Sequence, residues 1–134
     1  MSGYPLNSVT TILCQNSKAS NDPTVLEAIQ NAETIFFAGG DQNEYYTFWS
    51  NTEVQKIVQS KISKQTIGGT SAGLAILGNW VYTASEGSAV SDEVLVNPYD
   101  KYMANLEKAF LNIPFMSSII TDTHFGNIFN NYFS

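Results

Sequence analysis

Thr66-Ile67-Gly68-Gly69-Thr70-Ser71-Ala72-Gly73-Leu74-Ala75-Ile76-Leu77 is the stretch that decides the fold. A short apolar run, Thr66 to Gly68, leads into Gly69-x-Ser71-x-Gly73, and small helix-compatible residues follow from Ala72 to Leu77. The order predicts strand, sharp turn, helix. A turn this tight forces its central residue into a strained backbone geometry and lifts its side chain clear of the sheet. The flanking glycines are expected because a Cβ there would meet the neighbouring strand or helix. A serine so placed sits at a helix N-terminus, where backbone N–H groups can stabilise an oxyanion. Ser71 is therefore a candidate nucleophile, and Ala72 follows it at the oxyanion side of the turn.

Outward from this turn, apolar runs alternate with helical patterns. Val9 to Cys14 reads as a short buried strand rich in β-branched residues. Asn21-Asp22-Pro23 predicts a helix start, with Asp22 as cap and proline in the first turn. Val25, Leu26 and Ile29 give that helix its apolar face. Thr34 to Ala38 is a second buried strand, stopped by Gly39-Gly40. Tyr45, Tyr46, Phe48 and Trp49 then pack a helix onto the sheet. Asn51 or Thr52 caps another helix, with Val54, Ile57 and Val58 facing inward.

Strands separated by helices of this length imply βαβ units and a parallel sheet. Ligands bind such sheets beyond the carboxyl ends of the strands. Both glycine clusters, Gly39-Gly40 and Gly68-Gly69, fall at those ends. Tyr82 to Asn105 reads as a hairpin or excursion leading into a short helix, and Ile113 to Phe115 as a loop. Met116 to Thr121 is expected to be a fourth strand, with Asp122-Thr123-His124-Phe125 at its end. No internal repeat or linker divides the 134 residues, so one domain with a sizeable core is expected.

Composition narrows the function classes. Charged residues are only 13% of the chain and the net charge is −6, so nucleic acid is not an expected partner. All six basic residues are lysines. The one cysteine, Cys14, excludes an intramolecular disulfide and fits a reducing, cytoplasmic setting with a buried structural thiol. No apolar run approaches membrane-spanning length, and no signal-peptide pattern opens the chain.

A serine hydroxyl needs an adjacent general base. The chain has one histidine, His124, and like Ser71 it follows an apolar run, so both can reach the same sheet edge. A third group orients the imidazole in such sites. Of the acids between the pair, Glu86 is preferred, since it lies in a serine- and glycine-rich loop soon after the serine helix. Asp122 is two residues from His124, so on an extended strand it shares that face and either contacts the site or bonds nearby backbone. Asp41-Gln42 follows Gly40 at a strand end, where an amide can bind substrate or shape the oxyanion pocket.

Phe37-Ala38-Gly39-Gly40-Asp41-Gln42, Ile67-Gly68-Gly69-Thr70-Ser71-Ala72-Gly73 and Thr121-Asp122-Thr123-His124-Phe125 occur in that order. Together they resemble the cyanophycinase and dipeptidase E family of serine peptidases, over about Asn7 to Phe125. The resemblance implies a three-layer α/β fold, flavodoxin-like and akin to class I glutamine amidotransferases, with mainly parallel strands. It implies Ser71 as nucleophile and His124 as base, with Gln42 beside the site, Asp122 as the acid before the histidine, and Gly40 and Ala72 bordering the substrate. The implied substrates are small peptides, aspartyl or β-aspartyl, and no metal or organic cofactor is implied.

The chain departs from that family's pattern. It begins near the family's third or fourth strand, so an incomplete sheet is expected. Exposed edges would then favour self-association into a homo-oligomer. Ile128 and Asn130 stand where cyanophycinase-like members carry arginines. In dipeptidase E the third catalytic residue lies between serine and histidine, as Glu86 does; in cyanophycinase it lies beyond the histidine. The alternative function is a non-catalytic remnant or fragment of such a peptidase. An α/β-hydrolase esterase shares the serine turn but has no counterpart of Gly39-Gly40-Asp41-Gln42.

Overall fold

Helix α1, Pro23–Asn31, starts where a carboxylate can hold its orphan amides. The computed structural model describes residues 6–123, and in it Asp22 Oδ1 accepts from the Thr24 N–H at 2.8 Å and the Val25 N–H at 3.4 Å, with Pro23 in the first turn. Its far end is held from another helix. Lys61, at the end of α3 (Glu53–Lys61), is 5% exposed; its Nζ donates to the carbonyls of Gln30 (2.7 Å) and Ala32 (3.1 Å) and to Gln65 Oε1 (3.1 Å). A buried cation at a helix C-terminus satisfies orphan carbonyls and complements the dipole. Lys61→Met keeps the aliphatic stem and removes those donors. It should lower stability by about 2 kcal/mol, read from a chemical denaturation midpoint.

Strand β1, Thr34–Phe37, follows α1 and pairs in parallel with β2, Thr66–Gly69, in the register Ile35 to Ile67 and Phe37 to Gly69. Between them lie α2, Gln42–Trp49, and α3. Asp41 caps α2 by accepting from the Asn43 N–H at 2.7 Å. Thr52, rather than Asn51, caps α3. The expected α/β class and parallel pairing are therefore present.

The core gathers where these elements meet. Val54 and Val58 of α3, Phe37 of β1 and Ile29 of α1 pack with Ile76, Leu77, Val81, Phe110 and Leu111. The aromatic run of α2 packs onto the strand as expected. Phe37, Tyr45 and Trp49 form an edge-to-face cluster, with centroids 5.5 Å apart for Phe37–Trp49 and 4.8 Å for Tyr45–Trp49. The opposite face of the pair differs: Phe36 is 66% exposed, its ring lying against Gly68.

After β2 comes α4, Ala72–Ala75, then β3, Trp80–Tyr82, which pairs antiparallel with β4, Leu106–Lys108. The excursion between them carries α5, Ser91–Val96, and a 3-10 turn at Lys101–Ala104, in line with the hairpin reading. The described residues thus form two two-stranded sheets. Among them no helix is long and apolar enough to cross a membrane.

Two expected strands are corrected. Val9 to Cys14 forms no strand pairing among the described residues; Val9 and Leu13 are 74% and 76% exposed, and the run faces β1 across a groove of about 940 Å³. A β-branched run becomes a strand only when an edge meets it within hydrogen-bond distance, which composition does not encode. Met116 to Thr121 is also not a continuous strand. Pro114–Met116 is a 3-10 turn, extended by a bond from the Ile119 N–H to the Met116 carbonyl, and Ile120 alone bridges to Trp80. Local turn bonding here outcompetes the ladder.

Candidate active site

The serine turn follows from two glycines that cannot be replaced. A Cβ on Gly69 would lie 2.3 Å from the Gly73 carbonyl oxygen, and one on Gly73 would lie 2.2 Å from the Phe37 oxygen and 2.6 Å from the Ala38 oxygen. Ordinary contact begins well beyond these distances, so β2, α4 and the end of β1 approach to backbone contact because side chains are absent. The Thr70 N–H closes the arrangement by donating to the Phe37 carbonyl at 3.0 Å.

Ser71 is driven into φ 50°, ψ −124°, outside the helical and extended regions. A non-glycine residue there costs about 1–3 kcal/mol and persists only when its surroundings enforce it. Its carbonyl accepts from the N–H groups of Leu74 and Ala75, both at 2.9 Å, so the strained residue also begins α4. Its side chain does not cap that helix, unlike Asp22, Asp41 and Thr52 at theirs. Ser71 is half-buried, while Ala72 beneath it is 2% exposed.

The end of β1 forms the opposite wall. A Cβ built on Gly39 would stand 3.2 Å from Ser71 Cβ and 3.7 Å from its Oγ, which places the serine side chain directly against Gly39. Gly40 has φ 145° with open space around it, so glycine is required there for conformation, not for room. Asp41 and Gln42 follow at once; Asp41 is committed to capping α2, and Gln42 opens that helix half-buried. The Tyr45 hydroxyl donates to the Ala38 carbonyl at 2.9 Å, tying α2 to the residue before the glycines. Burial, then the nearby Cys14 thiol, pushes that phenol's pKa up, so it stays a donor at neutral pH.

The structure therefore brings Gly39, Gly40, Gln42, Ser71 and Ala72 to one end of the parallel pair. Asp122 follows Thr121, whose hydroxyl donates to the Leu74 carbonyl at 2.9 Å and lies 3.2 Å from that of Ala75. Asp122 is thus two residues ahead of His124, which lies outside the described residues. Glu86 is exposed, on a turn closed by the Gly87 N–H to the Ala84 carbonyl. The Tyr82 hydroxyl donates to the Gly87 carbonyl at 3.2 Å and holds this turn to β3. One contributor escapes the sequence: Tyr45, whose hydroxyl braces the wall through the Ala38 carbonyl and which the sequence reads only as part of an aromatic packing run. Gly39 belongs to the expected glycine cluster, and its contact with the Ser71 side chain is what the sequence does not give.

Cys14 is half-buried and not fully buried as expected. Burial pushes its thiol up from the ordinary range, partly offset by a hydrogen bond with Trp49, so little thiolate forms at neutral pH. Among the described residues no group of three or more His, Cys, Asp or Glu is placed to hold a metal ion.

The chain is similar to a cyanophycinase of Geminocystis herdmanii, with 26% identity over 108 residues. The match covers 79% of this chain and 36% of that protein, so the chain spans little more than a third of its relative's length. No family model matches the chain.

Proposed function

We propose that the chain carries the nucleophile side of a serine-type peptidase site of the cyanophycinase and dipeptidase E kind. The observation that carries this reading is the backbone of Ser71: φ 50°, ψ −124°, between two glycines packed to backbone contact at the carboxyl end of a parallel pair. Strain enforced from both sides presents the hydroxyl at a helix start, the geometry that a nucleophile turn requires. Similarity to a protein named cyanophycinase points to the same chemistry. The proposed frame is the three-layer arrangement of class I glutamine amidotransferases.

In this mechanism Ser71 Oγ attacks the scissile carbonyl as its proton passes to His124. The N–H groups of Ala72 and Gly40 hold the resulting oxyanion. His124 then protonates the leaving amine, and an acyl ester remains on Ser71. Water, deprotonated by His124, cleaves that ester and restores the serine. Gln42 contacts the substrate beside the oxyanion.

Glu86 or Asp122 orients the imidazole. Glu86→Gln and Asp122→Asn separate the two, since the orienting acid should cost about a hundredfold or more in kcat and the other acid less than about threefold. Small aspartyl or β-aspartyl peptides are the proposed substrates. With no arginine in the chain, their carboxylates would be met by lysine or backbone donors, without a planar fork.

A second reading is a non-catalytic relative. It is favoured by the exposure of Glu86, because the acid of such triads is ordinarily buried against its histidine. Hydrolysis of aspartyl dipeptides and β-aspartyl-arginine by wild type beside Ser71→Ala decides between them. Turnover confined to the wild type supports the peptidase; equal, absent turnover from two folded proteins supports the relative.

A further inference from the structure

We infer that Tyr45 is the positioning residue of the oxyanion wall, the clamp that holds Gly39 and Gly40 in place against Ser71. The inference rests on the peptidase reading and adds a residue to it.

Tyr45 bonds to the chain on both sides of the glycine pair. Its hydroxyl donates to the Ala38 carbonyl at 2.9 Å, and its N–H donates to the Asp41 carbonyl at 3.3 Å. Each bond fixes a whole peptide plane, Ala38–Gly39 on one side and Asp41–Gln42 on the other. Between those planes lie only Gly39, Gly40 and Asp41. The tyrosine is itself held from two sides. Its ring packs edge to face with Phe37, centroids 6.2 Å apart, and with Trp49, centroids 4.8 Å apart. The hydroxyl thus reaches Ala38 from a ring anchored on β1 and on the next turn of α2.

The glycine pair needs such a clamp. Gly69 and Gly73 are locked by backbone contact, but a Cβ on Gly40 would meet nothing within 4 Å, so crowding at that position does not enforce its φ of 145°. Glycine torsions are the least restricted of any residue, and a pair without anchors would spread over many conformations. Gly39 lies against the serine, since a Cβ there would stand 3.2 Å from Ser71 Cβ. The Gly40 N–H is a proposed oxyanion donor, and such a donor acts only when it is aimed before the charge develops. A misplacement of about 1 Å can cost about a hundredfold in rate. Tyr45→Phe keeps the ring packing and the N–H bond to Asp41, and removes only the bond to Ala38.

The test compares wild type, Tyr45→Phe and Ser71→Ala by fluorophosphonate labelling over a range of probe concentrations, which separates the maximal rate from the apparent binding constant. Labelling bonds Ser71 Oγ to phosphorus, with loss of the serine proton and of fluoride, and charge develops on a phosphonyl oxygen. Beside it, NMR relaxation of the Gly39 and Gly40 amides reports their order, and thermal melting reports folding. In wild type both glycine amides should be as ordered as those of α2. In Tyr45→Phe they should lose order and the maximal labelling rate should fall at least about tenfold, while the binding constant stays within about threefold and the melt stays cooperative. A merely structural tyrosine would lower the melting temperature and leave the maximal labelling rate alone. A wild-type rate in Tyr45→Phe, a loss confined to the binding constant, or a rate loss without loss of glycine order overturns the inference and leaves the peptidase reading standing. Mobile glycine amides in the wild type do the same. So does a Tyr45→Phe that no longer melts cooperatively, since the hydroxyl would then hold the fold and not the wall. No Ser71-dependent labelling of folded wild type overturns the peptidase reading and this inference with it.

Discussion

Gly73→Ala should leave no cooperatively folded protein. The added Cβ would sit 2.2 Å from the Phe37 oxygen, 2.5 Å from the Phe37 carbonyl carbon and 2.6 Å from the Ala38 oxygen. All three are backbone atoms of the strand end, so no rotamer change relieves the overlap. Relief requires α4 to move off β1, which would break the bond from Thr70 to Phe37 and expose Ala72, Ala75 and Ile76, all buried now. The expected cost exceeds about 4 kcal/mol, a large part of the total stability of a domain this size. A thermal melt followed by far-ultraviolet circular dichroism checks it, with loss of the sigmoidal transition as the predicted result. Gly40→Ala is the useful contrast, because its Cβ would meet nothing and only the φ of 145° penalises it. That variant should fold with a lowered melting temperature.

Ser71→Ala should abolish peptide hydrolysis and leave folding intact. The hydroxyl does not cap α4, so the helix start does not depend on a serine bond there. The methyl side chain keeps the contact with Gly39, whose Cβ position is 3.2 Å from Ser71 Cβ. Alanine also inherits the strained φ of 50°, so the backbone cost stays nearly unchanged. Loss of the nucleophile in a serine–histidine site removes at least about a thousandfold of kcat. The paired readouts are a melting temperature near wild type and turnover at the background rate. Equal turnover in the two proteins would remove Ser71 from the chemistry.

The parts of this architecture that were legible in the sequence are local in origin. Asp22 before Pro23, and Asn51-Thr52 before Glu53, announce helix starts because a cap and its amides lie within three residues, whereas the cap supplied by Asp41 is not read from the sequence. The glycines around Ser71 announce a close approach, although the sequence does not say that Phe37 is what Gly73 approaches. What stayed hidden depends on distant partners. Lys61 looks like any solvated helix lysine until the α1 carbonyls close over it. Thr121 looks like a strand residue until its hydroxyl meets α4. Val9 to Cys14 has strand composition, but its pairing depends on an edge that the described structure leaves across a groove. Met116 to Thr121 has the apolar pattern of a strand, and the Pro114 turn overrides most of it.

The proposed peptidase chemistry makes Ser71 the activated nucleophile and His124 its base. Fluorophosphonate labelling of the wild-type chain, followed by peptide mapping of the adduct, tests it most directly. The expected result is one adduct per chain, on the peptide containing Ser71, and at least about a hundredfold slower labelling in His124→Ala with folding retained. An adduct on a different residue, or a folded wild-type chain that takes up no phosphonate, would contradict it.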